Sequence, residues 1–384
     1  MSVPVVEPDR YPEQLEAKRQ RIVEQFARFD APAPEVFASP ASHYRQRCEF
    51  RLWHDGDDLH HAMFEVDPAD PKQKTVIRLT QYPVASRRIN ELMPQLIEAV
   101  RDNPILRHRL FQVEYLTTLT GEALITLIYH RRLDERWDEE ARALEQQLDA
   151  AIIGRARKQR RVLTRDHVTE HLEVDGQVFH YQQVENSFTQ PNAEIARSML
   201  HWAREVTRAR HGGRRSRDLV ELYCGNGHFT IALAENFRRV AATEISRTSV
   251  ASAQVNLASN AIDNAVVVRM SSEEFGAALD GEKEGNRVNE LALTEHDFAT
   301  VLVDPPRAGL DEASCARIAR FDEIVYISCN PATLAANLEQ LTQTHTVERL
   351  ALFDQFPWTD HCECGVLLRR RGDQATAPAH AGCS

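Results

Sequence analysis

The chain has 384 residues, 42% of them hydrophobic, enough to fill about two cores of ordinary domain size. No apolar run is long enough to span a bilayer, and residues 1–10 lack the basic-then-apolar order of a secretion signal, so a soluble, cytoplasmic protein with no membrane partner is expected. A net charge of −11 argues against uniform attraction to a polyanion, but basic residues cluster at Arg155, Arg157, Lys158, Arg160, Arg161 and Arg165, and again at Arg204, Arg208, Arg210, Arg214, Arg215 and Arg217. As charge runs alone, both clusters read as solvated helix faces or loops.

From the amino terminus, residues 12–29 place Leu15, Ile22, Val23, Phe26 and Phe29 on one face of a helix. A proline-rich link at 31–34 follows. Residues 44–53 then alternate, with Cys48, Phe50 and Leu52 on one side of a strand and Arg45, Arg47 and Arg51 on the other. The turn at 54–57 returns the chain as a partner strand over 59–66. A helix over 87–101, a second hairpin from strands 110–119 and 123–130, and a helix over 138–151 complete an antiparallel α+β domain spanning 31–180.

The pattern then changes. Strands at 219–223, 240–243, 265–270, 300–303 and 324–328 alternate with helices at 228–236 and 248–259, as in a parallel sheet. Strands 347–353 and 365–369 have no helix between them and suit antiparallel pairing. The predicted organisation is an amino-terminal helix (1–30), the α+β domain (31–180), a Rossmann-like α/β domain (181–370) and a flexible tail (371–384), with 281–296 as a surface insertion. Seven scattered cysteines without CxxC pairs argue against a disulfide framework or a structural zinc, and are expected as reduced thiols.

In such a sheet a ligand sits beyond the carboxyl ends of the strands, where a glycine turn lets backbone amides approach it. Tyr223-Cys224-Gly225-Asn226-Gly227 supplies that turn, and Glu244 ends the next strand, where a carboxylate accepts from ribose hydroxyls. A dinucleotide would need a third glycine, yet His228, Phe229 and Thr230 follow, so S-adenosylmethionine is favoured over NAD. Asp304-Pro305-Pro306-Arg307 ends another strand with a stiff loop. Enzymes that methylate amino groups carry an aromatic ring after such prolines, and Arg307 stands in its place here.

Cys329 follows the strand at 324–328 and precedes a helix beginning at Pro331. A lone cysteine at a strand end is most often a small buried hydrophobe. Beside the Asp304 loop it acquires a chemical use. Uracil C5 is too electron-poor to attack a sulfonium methyl directly; a thiolate adding to C6 makes an enolate that is nucleophilic at C5. The C5 proton must then be removed so that sulfur can leave, and Glu363 is the candidate base. The helix start after Cys329 is expected to lower the thiol pKa. Cys224 is a rival thiol within the cofactor turn and is expected to be packing. Cys362 and Cys364, with one residue between them, make a poor metal ligand set.

In combination, Tyr223-Cys224-Gly225-Asn226-Gly227, Asp304-Pro305-Pro306-Arg307, Ser328-Cys329-Asn330-Pro331 and Glu363-Cys364-Gly365 resemble the RNA 5-methyluridine methyltransferases. Gln183 through Asn192, Trp53 through Asp58 and Leu352 through Pro357 extend the resemblance over most of residues 11–369. It implies that Gln190, Tyr223, Glu244 and Asp304 contact S-adenosylmethionine, with His228 at a cofactor position where the family has asparagine. It implies Cys329 as nucleophile, Glu363 as base, and the T-loop uridine 54 of tRNA as target, with tmRNA as a further candidate substrate and no obligate protein partner. Ribosomal members add a β-barrel and an iron–sulfur cysteine cluster; neither pattern occurs here, so no metal or iron–sulfur cofactor is expected. A base inside a folded loop must be unstacked to react, which gives the α+β domain an RNA-binding task, with Arg51, Phe111 and His130 as candidate contacts. A catalytically silent RNA-binding module is the alternative reading.

Overall fold

In the computed structural model, which describes residues 4–66, 70, 74–209 and 214–372, the largest sheet has the strand order Glu35–Phe37, His345–Phe353, Glu363–Arg370, Glu323–Ser328, Phe298–Val303, Asp218–Leu222, Val240–Glu244 and Ala265–Arg269. The last five run parallel, while Glu363–Arg370 is antiparallel to both its neighbours. Parallel strands buried on both faces read as continuous apolar runs, and side chains alternate between two cores. Leu219, Ala242, Leu302 and Val325 face the helices Ala193–Thr207, His228–Leu233 and Arg247–Ser259. Val220, Ala241, Val303 and Tyr326 face the helices Ser272–Leu279, Glu312–Ile318 and Pro331–Leu341. This is the Rossmann-like α/β architecture expected from the sequence.

The start of the chain belongs to this body, which corrects the boundary placed at residue 31. Ile22 and Phe26 of the helix Tyr11–Phe26 are fully buried in the second core with Leu334 and Leu338. Val23, on the expected apolar face, is 39% exposed, and Lys18 is buried in its stead. Glu35–Phe37 adds a parallel edge strand to His345–Phe353, tied by Arg349 donating to Glu35 at 2.6 and 2.7 Å. A three-residue strand is too short to display a period. The boundary at 180 likewise falls inside a hairpin, His167–Val174 with Gln177–Val184, whose Leu172, Phe179 and Tyr181 pack with Trp202 and Phe229 in the first core.

A second sheet of seven strands has the order Lys74–Leu79, Asp58–Val66, Arg47–Asp55, Leu110–Thr117, Ala123–Tyr129, Ala151–Ala156 and Gln159–Val162. Cys48, Phe50 and Leu52 point inward, as their alternation requires, onto the helices Arg87–Arg101 and Glu135–Leu148. The sheet is not wholly antiparallel: Ala123–Tyr129 and Ala151–Ala156 run parallel, because the second helix crosses over between them. That helix starts three residues earlier than expected, capped by Asp134, and Ala151 opens a strand.

Both basic runs also differ from the expected solvated faces. Residues 155–165 form a hairpin and its exit, with Arg155 and Arg160 held by Glu185, Arg161 by Asp138 and Arg165 by Glu122. Arg204 is buried against Asp175 and Glu235, Arg215 meets Glu323, and Arg217 meets Asp297 and Asp322. The insertion at 281–296 carries a helix, Asn286–Leu291, whose Leu291 reaches the second core. Residues 373–384 of the expected tail lie outside the described residues. Among the described residues no helix is long and apolar enough to cross a membrane. Because Phe26 fills the core beneath the large sheet, Phe26→Ala should cost about 3–5 kcal/mol, seen as a lowered thermal midpoint. An unchanged midpoint would show that the helix is not docked there.

Candidate active site

The carboxyl ends of the central strands form one rim. Leu222, Thr243 and Val303 align in register, so the next residues, Tyr223, Glu244 and Asp304, lie side by side. Ser328 pairs with Cys364 at the last rung of the antiparallel ladder. Cys329 and Glu363, one residue beyond on each strand, therefore face each other. Phe353 pairs with Glu363 from the opposite side, which brings Gln355 near the same carboxyl.

Cys329 is partly buried between two anchored segments. Asn330 caps the helix Pro331–Leu341 by accepting from the Ala332 amide, and its Nδ2 donates to the Arg307 carbonyl at 3.1 Å. Thr333 donates to that same carbonyl, which ties the Asp304 loop to the cysteine turn. The thiol is pushed up to about 11, mainly by burial and then by Glu363 and Asp304, with Arg307 opposing. This reverses the expected depression: two carboxyl groups and desolvation outweigh one exposed guanidinium and the helix start. Cys224, the rival thiol, is buried in the first core and raised well above its ordinary value, again by burial.

The rim is rich in carboxyls that resist ionisation. Glu363 is pushed up to about 8 by burial, with Asp304 and Cys362 adding to the effect and a hydrogen bond from Gln355 opposing it. Burial alone raises Asp304 to about 7. Glu221, one strand in, rises to about 8 through burial, opposed by its bond from Thr230 and reinforced by Asp304 and Glu244. A cationic ligand entering this cleft would relieve each of them.

The candidate cofactor residues converge on the same edge. Gly225 (φ +57°) and Gly227 (φ +82°) take left-handed conformations that open the turn. Tyr223 does so too, at φ 64°, a strained geometry for a ringed residue, and its hydroxyl is pinned to Ser272 at 2.7 Å. Glu244 accepts from the amides of Gly225 (3.1 Å) and Ser246 (2.7 Å), which orients its carboxylate and leaves lone pairs for ribose hydroxyls. Gln190 accepts from Gln355 at 2.5 Å. His228 packs its ring against Tyr181 and Phe229, its Nε2 has no hydrogen-bond partner, and burial lowers it to about 4. Unpartnered buried atoms also occur at Glu221 Oε1, Thr243 Oγ1 and Gln355 Oε1. Acceptors and carboxyls without partners fit an amino-acid cofactor bearing a sulfonium and an ammonium.

The model of the tRNA (Uracil-5-)-methyltransferase family matches residues 10–371. The chain is 70% identical over 377 residues to the tRNA/tmRNA (uracil-C(5))-methyltransferase of Chromohalobacter salexigens, covering 98% of this chain and 100% of that one. It belongs to that family. The corresponding protein of Vibrio parahaemolyticus is 52% identical over 373 residues, covering 95% of this chain and 98% of its own. Among solved structures, the Pyrococcus abyssi tRNA (uracil-54, C5)-methyltransferase in complex with S-adenosyl-L-homocysteine shares the fold, with a TM-score of 0.70 at 21% identity over 93% of this chain and 83% of that one.

Within this family member, the three candidate RNA contacts meet on the second sheet. Phe111 and His130 stack with ring centroids 3.8 Å apart, and the Arg51 guanidinium lies 5.1 Å from the Phe111 ring. The pairing register slips between Leu110 and Gln112, so Phe111 sits at a bulge that re-aims its side chain. Exposed Arg109 donates to the His130 carbonyl beside the stack at 3.3 Å. Sequence reasoning gave no role to Gln355 and Ser272, which hold the candidate residues Gln190 and Tyr223, or to the buried carboxyl of Glu221. It also passed over Phe188, which is 68% exposed and lies two residues before Gln190.

Glu363 makes a pH prediction. An acid raised above its unfolded value of 4.5 destabilises the fold as pH climbs past 4.5, and the penalty is fully developed above about 8. Glu363→Gln should therefore raise the thermal midpoint by a few degrees at pH 8 and leave it nearly unchanged near pH 4.5. Equal effects at both pH values would contradict the burial of this carboxyl.

Proposed function

We propose that this protein methylates C5 of uridine in the T-loop of tRNA, at position 54, and of the matching loop of tmRNA, using S-adenosylmethionine. The observation that carries the reading is the meeting of Cys329 and Glu363 at the end of one antiparallel ladder. Membership of the family and the names of the relatives support the reaction class.

Gln190, Tyr223, Glu244, Asp304 and the His228 turn are the residues that would hold the cofactor, which supplies an electrophilic methyl group on a sulfonium. Cys329 Sγ, once deprotonated, adds to C6 of the uracil; the C5–C6 π pair becomes the enolate that makes C5 nucleophilic. After C5 is methylated, Glu363 takes the C5 proton. The C–H pair re-forms the C5–C6 double bond, and the C6–S bond breaks to return the thiolate. A carboxyl raised to about 8 suits this step, because a base is most effective with a pKa near the working pH. Raising the pH from about 6 to 9 increases both the thiolate and carboxylate fractions.

The target base reaches this cleft only when flipped from its loop. The Arg51, Phe111 and His130 group supplies stacking faces and charge for the RNA, and exposed Phe188 supplies an aromatic face near Gln190. Glu363→Gln should methylate RNA and stay bonded to it through Cys329, visible as a shifted band on a denaturing gel. Release of tritium from C5 should fall by at least about a hundred-fold, the lower range for loss of a general base. Release at the unaltered rate, or loss of cofactor binding without any adduct, would overturn the base assignment.

A further inference from the structure

The helix Tyr11–Phe26 closes over the loop that ends in Glu363. Lys18 is 3% exposed and Asp354 is 0% exposed. The ammonium of Lys18 donates to Asp354 Oδ1 at 2.6 Å, to the Phe356 carbonyl at 2.9 Å and to the His361 carbonyl at 2.8 Å. All three of its hydrogens are thereby engaged. Tyr11 donates to the other oxygen of Asp354 at 2.8 Å, so that carboxylate is bound at both ends.

These bonds fall at chosen places on the loop. Asp354 and Phe356 flank Gln355, whose side chain donates to Gln190 at 2.5 Å and lies close enough to Glu363 to favour its ionised form. His361 lies two residues before Glu363, at the loop's far end. A single buried cation thus gathers the beginning and the end of the segment that carries the base. Apolar contacts of Ile22 and Phe26 already dock the helix. A buried ion pair adds little net stability over apolar packing of equal volume, so its use here is to select one loop conformation.

We propose that Lys18 is a positioning residue for Glu363, which makes the amino-terminal helix part of the apparatus for proton removal from C5. This rests on the reading of Glu363 as the base. Cys329 is anchored separately, through Asn330 and Thr333 to Arg307. Loss of Lys18 therefore slows the elimination and spares the addition of sulfur to C6.

The test uses the full chain, S-adenosylmethionine and T-arm RNA tritiated at uracil C5, and follows adduct formation and tritium release separately in single turnovers. Lys18→Met should form methylated adduct within about two-fold of the unaltered rate while tritium release falls at least about ten-fold, within the about hundred-fold that an ångström of misplacement costs. Adduct should accumulate, and Lys18→Arg should recover most of the release rate. Equal losses in both rates, or no loss in either, would overturn the proposal. If Lys18→Met does not fold, the same two rates in Lys18→Arg and Asp354→Asn decide it by the same criterion. Glu363→Gln is measured alongside: unaltered tritium release in that variant would overturn the base reading itself, whereas blocked release there with equal losses in Lys18→Met would overturn only the role of Lys18.

Discussion

One ladder of backbone hydrogen bonds governs the arrangement of this molecule. The strand Glu363–Arg370 enters the sheet against the direction of its neighbours and pairs on both sides, with Ser328 opposite Cys364 and Phe353 opposite Glu363. Both faces of the strand are apolar, so its register is marked by Gly365: a slip of one residue would bring a side chain to that place, where a Cβ would lie 2.9 Å from the Trp202 ring. That close approach in the strand fixes where its first residue stands. Glu363 is held against Cys329 by packing further along the strand, as one rung follows another.

Around that contact the rim combines burial with an excess of acid. Glu221, Asp304 and Glu363 are each raised by desolvation, and two of them are raised further by a carboxyl neighbour. Such a cleft is costly to leave empty of positive charge and attractive to a cation. The same surroundings push the Cys329 thiol up to about 11, through burial first and then the carboxyls of Glu363 and Asp304. A cation held by these residues would favour the charged forms of both the thiol and the carboxyl.

Much of this was legible in the sequence because it depends on local pattern. The parallel strands are apolar runs, the cofactor turn has its glycines, and the alternation of Cys48, Phe50 and Leu52 sorts one face of a strand. What escaped depends on partners far away in the chain. Glu35–Phe37 is a strand only because His345–Phe353 offers an open edge, and Lys18 is buried only because Asp354 meets it. The two basic runs looked like free charge, and the structure pairs most of their arginines with carboxylates from other elements. The thiol's pKa was misjudged for the same reason: the helix start after Cys329 is visible in sequence, whereas the carboxyls facing it are brought there by the sheet.

The central claim is that Cys329 bonds to C6 of the pyrimidine while Glu363 stands ready at C5. Its most direct test is a T-arm RNA carrying 5-fluorouridine at the target position, whose C5 fluorine a base cannot remove as it removes a proton. Incubated with S-adenosylmethionine, the protein should form a stable adduct, and mass spectrometry of the digested complex should place a methylated fluorouridine on the peptide containing Cys329. An RNA bond to another residue, or continued turnover after Cys329→Ser, would contradict the account.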